Sequence, residues 1–167
     1  MLQKLGLTSS ACLVKDLVKS PPTFVDGDWE AVFFGKGTET EEQKNAPSVL
    51  ESDAALAELL AAETIIVATP MYNFNIPAAL KAWFDLVCVP GKTFKYGAKG
   101  PEGLASGKKV YVVVSTSGTV MGSGDDFLSP YVRFLFGFIG IKDITFFWVI
   151  KGDDTSALAQ IEALGGA

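Results

Sequence analysis

Histidine is missing from this 167-residue chain, and cysteine occurs only twice. Without histidine, the chain cannot form a Ser-His-Asp or Cys-His catalytic system, a His-ligated zinc site or a histidine acid–base group. Cys12 and Cys88 are too few for a disulfide framework or a four-cysteine metal site, and we interpret both as buried apolar side chains. Any redox or group-transfer chemistry must therefore come largely from a bound cofactor.

Positive charge and long apolar runs are also scarce. The net charge of −5 argues against binding to nucleic acid, because phosphate contacts need an excess of lysine and arginine. No apolar run approaches the roughly 20 residues of a membrane-spanning helix, and the amino terminus lacks the sustained apolar segment of a signal peptide. Hydrophobic residues make up 49% of the chain, which excludes disorder. We expect one folded domain over residues 1–167, located in the cytoplasm.

The most informative segment is residues 70–77, which read PMYNFNIP. It follows residues 64–69, a β-branched run typical of a parallel strand that is buried on both faces. It precedes the helical pattern of Ala78–Val87, which begins just after a proline. The segment is therefore predicted to be a loop at the carboxyl end of a strand, where open α/β sheets bind ligands. Its methionine, aromatic and asparagine side chains favour a large planar heterocycle, and packing within the domain is the alternative.

Strand and helix patterns alternate along the rest of the chain. Strands are predicted at residues 11–17, 110–114 and 144–150. Helices are predicted from Ser48, from Ser129 to Ile139 with Gly140 just beyond the end, and after Asp153 or Asp154. This alternation predicts a doubly wound parallel sheet with helices on both faces, a three-layer α/β/α fold.

Short sequence patterns add three further predictions about helix ends and loops. Residues 48–51 have the form of a capping box, and the buried face of their helix should carry Val49, Leu56, Leu59 and Leu60. Residues 91–107 contain five glycines and are predicted to be a long irregular loop. The acid pairs at 125–126 and 153–154 are interpreted as helix caps, so no metal site is predicted.

A second polar loop, Ser115-Thr116-Ser117-Gly118, follows the strand at 110–114. Because the carboxyl ends of successive parallel strands meet at one edge of the sheet, this loop should face residues 71–74 across a crevice. Its hydroxyl and N–H groups suit the polar edge of a ring. A plain turn between strand and helix is the alternative.

These segments resemble a known family. Residues 71–76 match the flavin-contacting loop of the FMN-dependent NADH-azoreductases, which belong to the flavodoxin-like quinone reductases. The likeness continues in order and with matching spacing through residues 80–81, 84–87, 91–96, 100–104, 107–109, 130–131, 138–141 and Asp143. It covers nearly the whole chain from Ala11 onward, which makes it far more specific than any single motif.

The resemblance implies a flavodoxin-like enzyme in which NADH or NADPH reduces bound FMN and a quinone or azo compound is reduced in turn. No side chain is required as a catalytic acid or base. The residues that it implies in contact with FMN are Met71, Tyr72, Asn73, Phe74, Ser115, Thr116, Ser117 and Gly118. Tyr96 and Phe138 match positions on the substrate side of the flavin, which family dimers bring over the neighbour's ring. We expect a homodimer built on the Trp83-Phe84 helix and residues 134–138, which carry more aromatic surface than one sheet face covers.

The chain departs from the family pattern in two places. Its first predicted strand resembles the family's second, so a strand and the Ser-rich phosphate loop, roughly 25 residues at usual element lengths, are not recognised. Residues 11–17 are then expected to pair with residues 64–69 or to leave a gap. Thr116 and Ser117 replace an arginine and a glycine of the family. We therefore expect weak FMN binding with little advantage over riboflavin. The alternative function is a shortened, non-catalytic dimer with weak or no flavin binding.

Overall fold

A computed structural model describes residues 12–35 and 37–164 of the chain. The helices and strands follow in the order α1 (Gly27–Phe34), α2 (Glu41–Lys44), α3 (Pro47–Ala61), β1 (Thr64–Pro70), α4 (Ala78–Val87), β2 (Phe94–Gly97), β3 (Gly100–Gly103), β4 (Lys109–Thr116), α5 (Leu128–Phe138), β5 (Asp143–Ile150) and α6 (Thr155–Ala163).

The central sheet has three parallel strands in the order β1-β4-β5. β4 lies in the middle, with Val112 opposite Val67 of β1 and Phe146 of β5. Its side chains are apolar on both faces, as expected for a parallel strand between two helical layers. The predicted strands at 64–69, 110–114 and 144–150 are confirmed, each lengthened by one to three residues.

Helices cover both faces of this sheet. α3, α4 and α5 pack on one face, where Val112 and Phe146 belong to the main core. α6 packs on the other face, against Tyr111 and Phe147. The predicted three-layer α/β/α architecture is confirmed.

Residues 12–17 do not form a strand, so that part of the prediction for residues 11–17 is wrong; Ala11 lies outside the described residues. Lys15 forms an ion pair with Glu58 of α3 at 2.6 Å, and Leu17 packs on the main core. A strand needs a partner that binds its N–H and C=O groups in register. Within the described part of the chain, β1 pairs with β4 alone, and residues 12–17 do not pair with it.

The start of α3 also differs from its prediction. The helix begins at Pro47, a residue suited to the first helical position because its φ is fixed and its missing N–H is not needed there. The hydroxyl of Ser48 donates to the carboxylate of Asp26 at 2.8 Å, so the predicted capping box is wrong. Of the four residues predicted for the buried face, three are buried, whereas Leu60 is 41% exposed.

Acidic residues cap the last two helices, as predicted for both acid pairs. The carboxylate of Asp126 accepts the N–H groups of Leu128 and Ser129 at 3.1 and 2.9 Å and caps α5, which begins at Leu128, one residue before the predicted start at Ser129. At the start of α6, the carboxylate of Asp153 accepts one N–H, that of Thr155, at 3.1 Å. Gly140, with a φ of +101°, follows the end of α5 as predicted.

The stretch at 91–107 contains an antiparallel hairpin, β2–β3, instead of the irregular loop that its glycines suggested. The hairpin lies against the end of α5, where the N–H of Ala105 donates to the carbonyl of Ile139 at 2.8 Å. A Cβ atom on Gly103 would lie 2.1 Å from the backbone nitrogen of Gly140. These two glycines therefore permit close contact between two backbones.

Candidate functional site

Two loops meet at the carboxyl edge of the sheet. We call residues 71–75, which follow β1, the first site loop, and residues 115–119, at the end of β4, the second site loop. The N–H of Met71 donates to the carbonyl of Ser115 at 2.8 Å, next to the point where Pro70 pairs with Ser115. The structure thus places the two predicted loops side by side.

The first site loop is a tight turn with an unusual backbone. Tyr72 and Asn75 exchange both of their backbone hydrogen bonds, at 2.9 and 3.1 Å. The central residues Asn73 and Phe74 have φ values of +48° and +68°. Asparagine tolerates this left-handed conformation, whereas a bulky residue such as phenylalanine rarely adopts it. The cross-turn bonds, together with the Asn75 side chain that accepts the N–H of Ile76 at 2.8 Å, hold the strained turn.

This turn keeps two aromatic rings at the surface. Tyr72 and Phe74 are 62% and 52% exposed, and Met71 is half-buried against the main core. The backbone N–H groups of Asn73 and Phe74 have no hydrogen-bond acceptor among the described residues. Exposed rings, a thioether and unpaired N–H groups together suit a planar heterocycle with a polar edge.

Thr116 shapes the second site loop. Its hydroxyl accepts the N–H groups of Gly118 and Thr119 at 3.0 and 2.9 Å, and Thr116 itself is buried. Ser115 and Ser117 are exposed, as is Gly118. Ser117 does not have a positive φ, so a serine at this position causes no backbone strain.

The second site loop is also held through its carbonyl groups from the β5 side. The carbonyl of Thr116 accepts the N–H of Lys151 at 2.9 Å. The carbonyl of Thr119 accepts the indole N–H of Trp148 at 2.8 Å. Sequence reasoning missed Trp148, because a tryptophan within an apolar strand pattern indicates only core packing.

Asp126 holds together the rest of the connection between β4 and α5. In addition to capping α5, its carboxylate accepts the N–H of Gly122 at 2.9 Å and the hydroxyl of Ser129 at 2.5 Å. Burial by itself raises the pKa of Asp126, but these hydrogen bonds outweigh it and hold the pKa below its usual value. The ionised carboxylate thereby orders a segment in which Val120 and Met121 are exposed.

Tyr96 and Phe138 lie away from the two site loops. Both rings contact Phe94, with centroid distances of 5.5 and 4.4 Å. Phe138 is the last residue of α5, which starts near the carboxyl edge and runs back for 11 residues. At 1.5 Å per residue, that is about 16 Å. A single chain therefore does not bring Tyr96 and Phe138 to the first site loop.

A recess of about 530 Å³ lies at the opposite, amino edge of the sheet and contains none of the predicted site residues. Three of its charged groups, Lys108, Lys109 and Asp143, already have partners. The ammonium of Lys108 donates to the carbonyls of Leu60 and Ala62 at the end of α3, at 2.7 and 2.8 Å. Lys109 pairs with Asp143 at 3.7 Å. We therefore place the candidate site at the two loops and not in this recess.

Among residues 12–35 and 37–164, no three or more histidine, cysteine, aspartate or glutamate side chains are positioned together to hold a metal ion. The helices of the same residues include none that is both long and apolar enough to cross a membrane.

Comparison with known proteins agrees with this fold. The family described as having a flavodoxin-like fold matches residues 3–164. The FMN-dependent NADH:quinone oxidoreductase of Erythrobacter litoralis is 37% identical over 144 residues, which cover 86% of this chain and 73% of that protein. The chain belongs to this flavodoxin-like family. The fold and the family resemblance inferred from the sequence are confirmed.

Two more similar proteins illustrate the range of this similarity. FMN-dependent NADH:quinone oxidoreductase 1 of Hahella chejuensis is 45% identical over 123 residues, or 74% of this chain and 60% of that protein. The crystal structure of an azoreductase from Bacillus anthracis has a TM-score of 0.77 at 25% identity. The match covers 91% of this chain and 78% of the azoreductase chain.

Proposed function

We propose that this member of the flavodoxin-like family is an FMN-dependent oxidoreductase that uses NADH to reduce quinones or azo compounds. The observation that carries the proposal is the junction of Met71 with Ser115, which sets exposed rings beside unpaired backbone N–H groups at the ligand-binding edge of the sheet. The similar proteins carry the names of NADH:quinone oxidoreductases and an azoreductase, which favours catalysis over the non-catalytic alternative. Use of NADPH and a cytoplasmic location stay predictions.

In this proposal the chain's own residues bind and orient the cofactor. Tyr72, Phe74 and the thioether of Met71 stack on the flavin ring. The N–H groups of the turn and the hydroxyls of Ser115 and Ser117 hydrogen-bond its polar edge. When bound, FMN would supply the two-electron redox chemistry between NADH and the acceptor. No side chain is needed as an acid or base, which suits a chain without histidine.

We propose further that binding depends mainly on the ring. The groups that we propose to contact the ring are aromatic, hydroxyl and backbone N–H groups, and none of them is a cation that could bind a phosphate. Charge-assisted hydrogen bonds to a phosphate are worth roughly 1.5–3 kcal/mol each. We therefore expect FMN and riboflavin to bind weakly and with similar affinity in calorimetric titrations. Tight binding of FMN but not of riboflavin would contradict this expectation and would point to another phosphate-binding group.

We propose that two copies of the chain complete the site. Tyr96 and Phe134 are 73% and 67% exposed, and Phe134 stacks on Phe138 at a centroid distance of 6.2 Å. In a two-fold dimer, the aromatic surface of one chain can lie over the flavin ring of the other chain, whose own Tyr96 and Phe138 do not reach that ring. Trp83 of α4 is available for the same interface, whereas Phe84 is buried in the core of its own chain. Sedimentation as a monomer at micromolar concentration would contradict the homodimer.

The activity is tested by following NADH oxidation with a quinone or an azo dye, in the presence and absence of added FMN. We expect oxidation that requires both the protein and FMN. In Tyr72→Ala/Phe74→Ala the flavin affinity should fall by about tenfold or more, because each ring contact contributes about 0.5–1.5 kcal/mol. Leu158→Ala, an exposed position on α6, is the control and should change nothing. Absence of flavin binding at millimolar concentration would favour the non-catalytic alternative.

A further inference from the structure

The indole of Trp148 links β5 to the second site loop. Its Nε1–H donates to the carbonyl oxygen of Thr119 at 2.8 Å. Trp148 is half-buried, and its ring packs on the main core. Because core packing sets the position of the ring, the indole presents a rigid donor to a loop that has little packing of its own.

Thr119 is the residue at which this contact has the greatest effect. Its N–H donates to the hydroxyl of Thr116 at 2.9 Å, and its carbonyl accepts from Trp148, so both of its backbone groups are held. The residues that follow, 120–125, are all exposed. Without the indole N–H, the backbone of Thr119 would be held only by the hydroxyl of Thr116, which accepts its N–H at 2.9 Å and donates to its carbonyl at the longer distance of 3.4 Å.

We propose that Trp148 is a positioning residue for the candidate site. Its indole N–H anchors the second site loop against β5 and thereby sets the affinity of that loop for a flavin ring. Because Trp148 packs on the main core and donates to the backbone of Thr119, we assign it an effect through Thr119 and not through contact with the ring. The effect on flavin affinity rests on the proposed function, whereas the anchoring of the loop does not.

Trp148→Phe tests the anchor, because it keeps an aromatic ring in the core and removes the donor. Trp29→Phe is the matched control, since the buried Nε1 of Trp29 in α1 has no hydrogen-bond partner within the described residues. In flavin-free protein we expect amide hydrogen exchange at Gly118 and Thr119 to be about three- to tenfold faster in Trp148→Phe, the factor that one hydrogen bond contributes. Trp29→Phe should leave it unchanged. Unchanged exchange in Trp148→Phe would overturn the proposal.

Riboflavin titration tests the consequence for the site. We expect its dissociation constant to rise about three- to tenfold in Trp148→Phe and to stay constant in Trp29→Phe. In the wild-type protein, which needs no variant to fold, the indole N–H signal of Trp148 should move on addition of riboflavin, whereas that of Trp29 should not. Faster exchange with unchanged riboflavin affinity and an unmoved indole signal would overturn the role in the site. If none of the three proteins bound riboflavin or FMN, the proposed function and this role would both be overturned, and the exchange data would still decide whether the anchor exists.

Discussion

The backbone N–H of Met71 donates to the carbonyl oxygen of Ser115 at 2.8 Å, and this hydrogen bond joins the two site loops. The left-handed turn at Asn73 and Phe74 begins two residues beyond this junction. The strained backbone therefore lies at the edge of the sheet where a ligand would bind. Backbone strain of this kind is often found at functional sites. This arrangement leads to the first of four predictions.

Substitutions of Phe74 measure the strain of the turn. At a φ of +68°, glycine fits better than any residue with a Cβ atom, so Phe74→Gly should be about 1 kcal/mol more stable than Phe74→Ala. Phe134 is also exposed but lies inside α5, where glycine should be about 1 kcal/mol less stable than alanine. Urea denaturation of the four variants gives both differences. Equal stabilities for the two Phe74 variants would mean that the turn relaxes without cost.

Asp126→Asn should destabilise the fold by removing a charge that caps α5 and closes the preceding loop. We expect a loss of about 1 kcal/mol at neutral pH, typical of a lost helix cap. The folded-state pKa of Asp126 is lowered, so its contribution is full above the unfolded pKa and is lost as pH falls through the folded pKa. The difference in stability from wild type should therefore shrink below about pH 4.

Urea denaturation between about pH 3 and pH 7 measures this pH dependence. Asp125→Asn is the matched control, because Asp125 is exposed and lies next to Asp126. Its effect should stay within about 0.5 kcal/mol at every pH. A pH-independent difference between wild type and Asp126→Asn would show that the carboxylate charge does not matter.

The thiol of Cys88 should be unreactive in the folded protein. Burial, with a smaller contribution from Asp85, raises the pKa of Cys88 to about 12. Alkylation requires the thiolate, so iodoacetamide at about pH 8 should label Cys88 only after unfolding, when the pKa returns to about 8.5. Mass spectrometry of the Cys88 peptide with and without urea gives the two rates. Equal rates would contradict the raised pKa.

Gly103→Ala should separate the β2–β3 hairpin from the end of α5. The new methyl group would lie 2.1 Å from the backbone nitrogen of Gly140, and neither backbone can move away independently. We expect a loss of about 1–3 kcal/mol or more in thermal or urea unfolding. Gly27→Ala is the control, because no atom lies within 4 Å of its Cβ position. A stable Gly103→Ala protein would mean that the hairpin packs less closely than described.

Most of the regular elements could be predicted because their signals are local. A β-branched run indicates β1, and the proline before Ala78 indicates where α4 begins. The errors came from elements whose state depends on a partner. Residues 12–17 have a strand-like composition but pair with no strand in the described sheet. The glycines at 91–107 suggested a loop, although Gly103 serves a close contact between backbones.

The position of the site is contained in the sequence, whereas its geometry is not. Residues 71–74 and 115–118 could be chosen because each group follows a strand, and parallel strands end at a common edge. The junction of Met71 with Ser115 and the contact of Trp148 with Thr119 arise only when distant segments meet. Side-chain periodicity and turn preferences act over a few residues, so they determine which segments become strands, helices and site loops. Hydrogen bonds between segments act through space, so only the tertiary structure decided which groups are held in place and which remain available to a ligand.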